Sequence, residues 1–110
     1  IKLELRSPDS ATNPYLCIAM LIYSILDGLD NSMELEDAIN ENMYSGKNYN
    51  IKKLPDTLSE AIDEFESSNF VKEKLGTQIF NEYIEAKKIE WNEFNNAITD
   101  WEIKKYLERF

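Results

Sequence analysis

The sequence contains no histidine and only one cysteine, and its 12 basic residues are outnumbered by 21 acidic ones among 110 residues. The lone Cys17 cannot form an internal disulfide, so we expect it to serve as a small buried hydrophobe. The net charge of −9 predicts repulsion from phosphate backbones and anionic membrane surfaces. These features argue against a nucleic-acid partner and favour a reducing, cytoplasmic setting.

Long hydrophobic runs are also missing. The most apolar stretch, from Tyr15 to Leu26, is interrupted by Ser24 and is shorter than the roughly 20 residues that cross a bilayer. No basic stretch followed by a cleavage site marks a signal peptide, and we expect no membrane partner. The chain starts at Ile1 without an initiator methionine, so we expect it to be a piece of a longer protein.

The first six residues, IKLELR, alternate between apolar and charged side chains. This period of two predicts a half-buried strand that places Glu4 and Arg6 on one face. No later stretch alternates in this way, so we expect the partner strands to lie outside this chain. The predicted fold class is mainly α, with one N-terminal strand followed by about four to five helices.

The first helix is predicted from about Pro14 to about Leu26. Asn13 is placed to cap it, and proline is favoured at the first helical position. We expect the helix to end near Gly28, which can adopt the left-handed conformation. Because the helix is apolar on nearly every face, another part of the protein should cover it.

The later helices follow a polar loop from Asp30 to Asp56. Thr57 and Glu60 form a predicted capping box, a short helix through NFVKEKL stops at Gly76, and the long helix runs from about Thr77 to Ala97. A final helix begins at Thr99 or Asp100. The residues predicted to be buried by helical spacing are Leu58, Ala61, Ile62, Phe65, Phe80, Tyr83, Ile84, Trp91, Phe94 and Ile98.

Two groups of charged residues are candidate sites. On spacing alone, Glu4 and Arg6 form a solvated ion pair of small energetic value. Glu85, Glu90 and Glu93 suggest a carboxylate metal cluster, but without a histidine they are better interpreted as a solvated helix face.

Several segments together resemble glutamine synthetases. ELRSPDSATNPYL, followed by LDGLDN, resembles the family segment in which a strand bearing Glu and Arg turns into a buried helix. NMY and LPDTLSEAIDEF resemble later family segments, and IEAKKIEWNEFNNAITDWEIKKYLERF resembles the closing helices of bacterial type I enzymes. The resemblance covers essentially the whole chain. It implies that residues 1–110 are the C-terminal part of a larger α+β catalytic domain.

The resemblance also implies a chemistry. The family ligates ammonia to glutamate with ATP through a γ-glutamyl phosphate, uses Mg²⁺ or Mn²⁺, and forms ring dodecamers. Glu4 matches the metal-ligand glutamate, and Arg6 matches the catalytic and substrate-binding arginine that contacts phosphoryl oxygens. Lys2 stands where many members carry arginine, and because it lacks the bidentate fork it is left out of the predicted site. We expect the isolated chain to be inactive.

Other positions are less similar to the family. Tyr44 resembles in position the tyrosine that some type I enzymes modify with AMP, but its surroundings are altered, and an ordinary loop tyrosine is the preferred interpretation. TDWE stands where the family commonly has HPWE, and LDNSMELE departs from a Lys-rich continuation. The alternative function is a non-enzymatic acidic helical module that binds another protein through its aromatic stripes, with Glu4 and Arg6 purely structural.

Overall fold

Helices dominate the computed structural model, which describes residues 2–42, 51–107 and 109. The chain divides into two compact units, which we call the N-terminal unit, Ile1–Ile51, and the C-terminal unit, Lys52–Phe110. The prediction of a mainly helical fold is confirmed. In the described part of the chain the helices are α1 (Pro14–Asp30), α2 (Leu58–Ser67), α3 (Asn69–Leu75), α4 (Thr77–Asn96) and α5 (Asp100–Tyr106).

The predicted N-terminal strand is wrong. Residues 2–6 belong to no strand, and the part of the chain that the structure describes contains no other strand with which they could pair. A strand is stabilised by hydrogen bonds to a neighbour and by burial of one face. Neither is present here, since Leu3 is 70% exposed and Leu5 is 50% exposed.

Helix α1 begins where the sequence predicts. The Asn13 side chain accepts hydrogen bonds from the backbone N–H groups of Tyr15, at 3.0 Å, and of Leu16, at 3.2 Å. Pro14 occupies the first helical position, where its missing N–H has no intrahelical partner to lose. This local chemistry determines the start of the helix without help from the rest of the protein.

The end of α1 differs from the prediction, because the helix passes through Gly28 and continues to Asp30. The left-handed residue is Ser32, with φ of 48°. The N–H of Met33 donates to the carbonyl of Gly28 at 3.0 Å and that of Ser32 donates to Leu29 at 3.2 Å, which is the hydrogen-bond pattern of a Schellman motif. These bonds satisfy the carbonyls of Gly28 and Leu29, and the left-handed residue lies four positions beyond the expected closing glycine.

The apolar surface of α1 remains open. None of the residues of α1, all of which the structure describes, is buried. Ile18 is 57% exposed, Ile22 51% and Leu29 71%, and Cys17 is a free cysteine of intermediate exposure rather than a buried one. The expectation that another part of the protein covers this helix stays a prediction.

The core of the C-terminal unit joins α2 to α4. Among the described residues the buried hydrophobes are Ile62, Phe80 and Ile84. The Phe65 ring stacks on Phe80 at 5.5 Å between centroids, a contact that adds to the area buried. The predicted apolar stripe of α2 is therefore confirmed, and Leu58, Phe65, Val71 and Trp91 pack around the core.

Two residues predicted to be buried are exposed instead. Phe94 is 65% exposed and Ile98 is 77% exposed. Helices α2 and α3 pack against α4, but α4 has 20 residues and α2 has 10, which corresponds to about 30 Å against 15 Å. The far end of α4 therefore extends beyond the helices that cover its start.

The caps of the C-terminal unit follow the predicted residues with one change. Thr57 caps α2 by accepting the Glu60 N–H at 3.2 Å, but the Glu60 carboxylate accepts the N–H of Asp56 rather than that of Thr57. Thr99, not Asp100, caps α5 in a complete capping box with Glu102. Gly76, with φ of 75° and ψ of 155°, ends α3 and precedes α4.

Candidate functional site

The candidate site is a charged cluster of Lys2, Glu4 and Arg6, which we call the N-terminal cluster. The Nε–H of Arg6 donates to Oε1 of Glu4 at 2.6 Å. The Nζ of Lys2 lies 3.3 Å from Oε2 of the same carboxylate. Each carboxylate oxygen thus faces one cation, and the predicted juxtaposition of Glu4 and Arg6 is present although the strand is not.

The N-terminal cluster is open to solvent. The side chain of Arg6 is 86% exposed, that of Lys2 82% and that of Glu4 46%. Exposed ion pairs contribute little to stability. The cluster therefore adds little to the stability of the fold, and its charged groups are accessible from solvent.

The contact with Glu4 uses only one of the N–H donors of the Arg6 guanidinium. A guanidinium carries five N–H donors in a planar fork, and Nε uses one of them toward Glu4. The four donors on the two terminal nitrogens have the spacing that pairs with carboxylate or phosphate oxygens. Glu4 can therefore orient Arg6 while the outer edge of the guanidinium faces an anion.

Glu4 is one candidate metal ligand, not a complete site. Its carboxylate is the hard oxygen donor that Mg²⁺ and Mn²⁺ accept. The described residues contain no group of three or more His, Cys, Asp or Glu side chains that could hold a metal ion. Glu85, Glu90 and Glu93 are exposed on α4, and Lys87 pairs with Glu90 at 2.6 Å.

Sequence reasoning placed two of the three cluster residues in the site and omitted Lys2. The alternating pattern of IKLELR already put Lys2 on the face of Glu4, so the signal was present in the spacing. Tyr44, the candidate modification site, lies outside the described residues.

Among the described residues, the titratable groups with a shifted pKa belong to the C-terminal unit, and ion pairs or caps explain the shifts. Hydrogen bonds to Glu66, at 2.8 and 2.9 Å, raise the pKa of Lys88 above its ordinary value. Hydrogen bonds from the backbone N–H and hydroxyl of Thr99 lower the pKa of Glu102. Both pairs are exposed, and they join helix to helix or cap to helix rather than forming a reactive centre.

A shallow depression of about 540 Å³ also lies in the C-terminal unit. It is open to solvent, and carboxylates supply much of its rim. An acidic, open surface of this kind would repel anionic substrates. Its lining residues are Lys53, Leu54, Pro55, Asp56, Glu60, Asp63, Glu64 and Ser67.

No helix within residues 2–42, 51–107 and 109 is both long enough and apolar enough to span a bilayer.

Comparison with known proteins identifies the family. The family model described as "Glutamine synthetase, catalytic domain" matches residues 1–106. Over 96% of its length the chain is 39% identical to a glutamine synthetase of Methanosarcina mazei and 36% identical to one of Thermotoga maritima, and it covers 25% of each. Over 99% of its length it is 32% identical to a Staphylococcus epidermidis glutamine synthetase, of which it covers 26%.

The family-model match includes the N-terminal cluster and the helices α1 to α5. The chain spans about a quarter of the length of the curated relatives it matches. A family model that matches almost the whole chain establishes membership, and so the chain belongs to the glutamine synthetase catalytic domain family.

Proposed function

We propose that residues 1–110 are the C-terminal part of the catalytic domain of a bacterial type I glutamine synthetase. The whole protein, which we call the parent protein, ligates ammonia to glutamate with ATP through γ-glutamyl phosphate and so serves glutamine biosynthesis in the cytoplasm. The observation that carries this proposal is the exposed Arg6, which Glu4 holds at 2.6 Å within a segment matched to the family.

Arg6 is the proposed catalytic and substrate-binding residue. Phosphoryl transfer relies on cations that neutralise the charge spread over the transferred oxygens. The terminal guanidinium nitrogens of Arg6 offer bidentate donors for those oxygens or for a substrate carboxylate. The ion pair to Glu4 restricts the rotation of the guanidinium, so less entropy is lost when the oxygens bind.

Glu4 is the proposed metal ligand. Mg²⁺ or Mn²⁺, when bound, would neutralise phosphate charge and orient ATP. Mg²⁺ demands near-octahedral oxygen coordination, and Glu4 supplies one carboxylate. The remaining ligands must come from other parts of the parent protein, from water and from the substrates.

This shortage of ligands has two consequences. The isolated chain should form no glutamine, because a phosphoryl-transfer site needs several metal ligands and phosphate-binding groups. The parent protein is proposed to assemble as a homo-oligomer, a ring dodecamer, in which a neighbouring subunit helps to complete the site. Glutamine formation by the purified isolated chain would contradict this view.

Two substitutions in the parent protein test the separate roles. Glu4→Gln removes an anionic oxygen while keeping the shape of the side chain, so metal affinity should fall and added Mg²⁺ or Mn²⁺ should recover part of the activity. Arg6→Lys keeps a positive charge but loses the planar fork. We expect kcat to fall by about a hundredfold or more without rescue by metal.

The measurement is a metal titration of steady-state rates, with Glu93→Gln and Arg109→Lys as matched controls. Both control residues are exposed, and their variants should resemble wild type. Near-normal activity of both Glu4→Gln and Arg6→Lys would contradict these roles and would mean that the pair is only a structural ion pair.

The coding sequence upstream of Ile1 tests the alternative of an acidic interaction module. A continuous reading frame with further carboxylate-bearing segments supports the enzyme. A start codon immediately before Ile1 supports the module.

A further inference from the structure

The segment between Arg6 and α1 is conformationally restricted along its length. Six residues, SPDSAT, join Arg6 to the cap residue Asn13. Pro8 fixes its own φ angle and disfavours the helical region for the residue before it. Asn13 and Pro14 define the first turn of α1. The position of Arg6 relative to the start of α1 therefore depends on the conformation of the middle of this short linker.

Asp9 lies at that middle position and forms the turn with two kinds of hydrogen bond. Its carboxylate Oδ1 accepts the backbone N–H of Ala11 at 2.8 Å. Its main-chain carbonyl accepts the N–H of Thr12 at 3.3 Å. The Thr12 hydroxyl lies 3.5 Å from the same Oδ1, which makes it a weaker partner. The side chain thus stabilises a turn that the backbone bond alone holds loosely.

The partners of Asp9 are local. Within the described residues the carboxylate has no ion pair, and its hydrogen bonds are exposed, so they add little to overall stability. Their main consequence is geometric, because they set how the chain runs from Arg6 to the helix.

We propose that Asp9 is a positioning residue for Arg6, an inference that rests on the proposed function of Arg6. Asp9 touches neither substrate nor metal in this role. It keeps the guanidinium at a constant offset from α1, so that the terminal nitrogens reach the transferred oxygens at hydrogen-bond distance. A misplacement of about 1 Å can cost about a hundredfold in rate.

Three variants of the parent protein separate this role from a merely structural one. Asp9→Ala removes the acceptor and should lower kcat by about ten- to a hundredfold, with smaller changes in KM for ATP and glutamate. Asp9→Asn keeps an oxygen that can accept the Ala11 N–H and should retain most of the activity. Ser10→Ala, in the same exposed turn, is the matched control and should behave as wild type.

The measurements are kcat, KM and the thermal unfolding midpoint of each variant. Loss of activity in Asp9→Ala, recovery in Asp9→Asn and unfolding midpoints within a few degrees of wild type support the inference. The inference is overturned if Asp9→Ala and Ser10→Ala have the same kcat, or if Asp9→Asn is as inactive as Asp9→Ala. It is also overturned if Asp9→Ala loses activity only because its unfolding midpoint falls. If wild type itself forms no glutamine, the proposed function fails and this inference fails with it. If wild type is active and Asp9→Ala has the same kcat, the inference about Asp9 fails while the proposed function stands.

Discussion

The N-terminal unit carries the more apolar helix but buries less of it than the C-terminal unit does. Helix α1 is apolar on nearly every face, yet none of its residues, all of them described, is buried. Helices α2 and α4 are far more polar, yet they bury Ile62, Phe80 and Ile84. Apolar composition therefore does not make a core, because burial needs an opposing surface. In the C-terminal unit α2 and α4 supply each other with that surface.

The sharpest test compares one substitution at matched helical positions of the two units. Ile84→Ala, at a site only 6% exposed, should destabilise the C-terminal unit by about 2–5 kcal/mol, because it removes buried contacts and leaves a cavity. Ile22→Ala, at a site 51% exposed, should cost much less. Urea unfolding measures the first change by tryptophan fluorescence, since both tryptophans lie in the C-terminal unit. Circular dichroism measures the second, and equal losses would break the comparison.

The two described glycines should respond in opposite directions. Gly76 has φ of 75° and ψ of 155°, a region open essentially to glycine, so Gly76→Ala should cost about 1–3 kcal/mol. Gly28 lies inside α1, and a Cβ added there meets nothing within 4 Å. Gly28→Ala should therefore stabilise α1 by about 0.5–1 kcal/mol. Thermal unfolding followed at 222 nm tests both, and a stabilising Gly76→Ala would contradict the positive φ of Gly76.

The cap of α1 should matter more than its side-chain packing. Asn13→Ala removes the acceptor of two backbone N–H groups and should lower helix stability by about 1 kcal/mol. Asn13→Ser is the control, because serine also caps. The helical signal of the isolated chain, followed through a thermal scan, measures the difference. An unchanged scan for Asn13→Ala would mean that other contacts hold α1.

The smallest effects should come from pH. The pKa of Glu102 is lowered in the folded protein from its ordinary value of 4.5. Its stabilising contribution is therefore present above about pH 4.5 and is lost as pH falls through the folded pKa. The pKa of Lys88 is raised from 10.5, so its contribution is present below that pH and is lost as pH rises through the folded pKa.

A pH series of unfolding measurements, compared with Glu102→Gln and Lys88→Met, tests these directions. Each variant should flatten the curve only in its own pH range. If Glu102→Gln changes the alkaline range instead, the assignment of the acidic transition to Glu102 is wrong.

Much of the fold follows from local chemistry that can be found in the sequence. Asn13 and Thr99 cap helices through bonds to residues two or three positions away, and Gly76 separates two helices. The ion pair of Glu4 and Arg6 is also local, since the two residues are two positions apart. The roles of that pair in catalysis remain predictions, because they depend on substrates and on parts of the parent protein that complete the site.

The sequence by itself determined where helices start, which side chains could form an apolar stripe, and which charges meet in the N-terminal cluster. Each of these depends on residues a few positions apart, for which local spacing is enough. Only the tertiary structure decided that Phe94 and Ile98 are exposed, that residues 2–6 form no strand, and that α1 buries none of its residues. Burial and strand pairing both require a second element at a particular place. The reach of that element depends on helix length and packing, not on the pattern of the segment it covers.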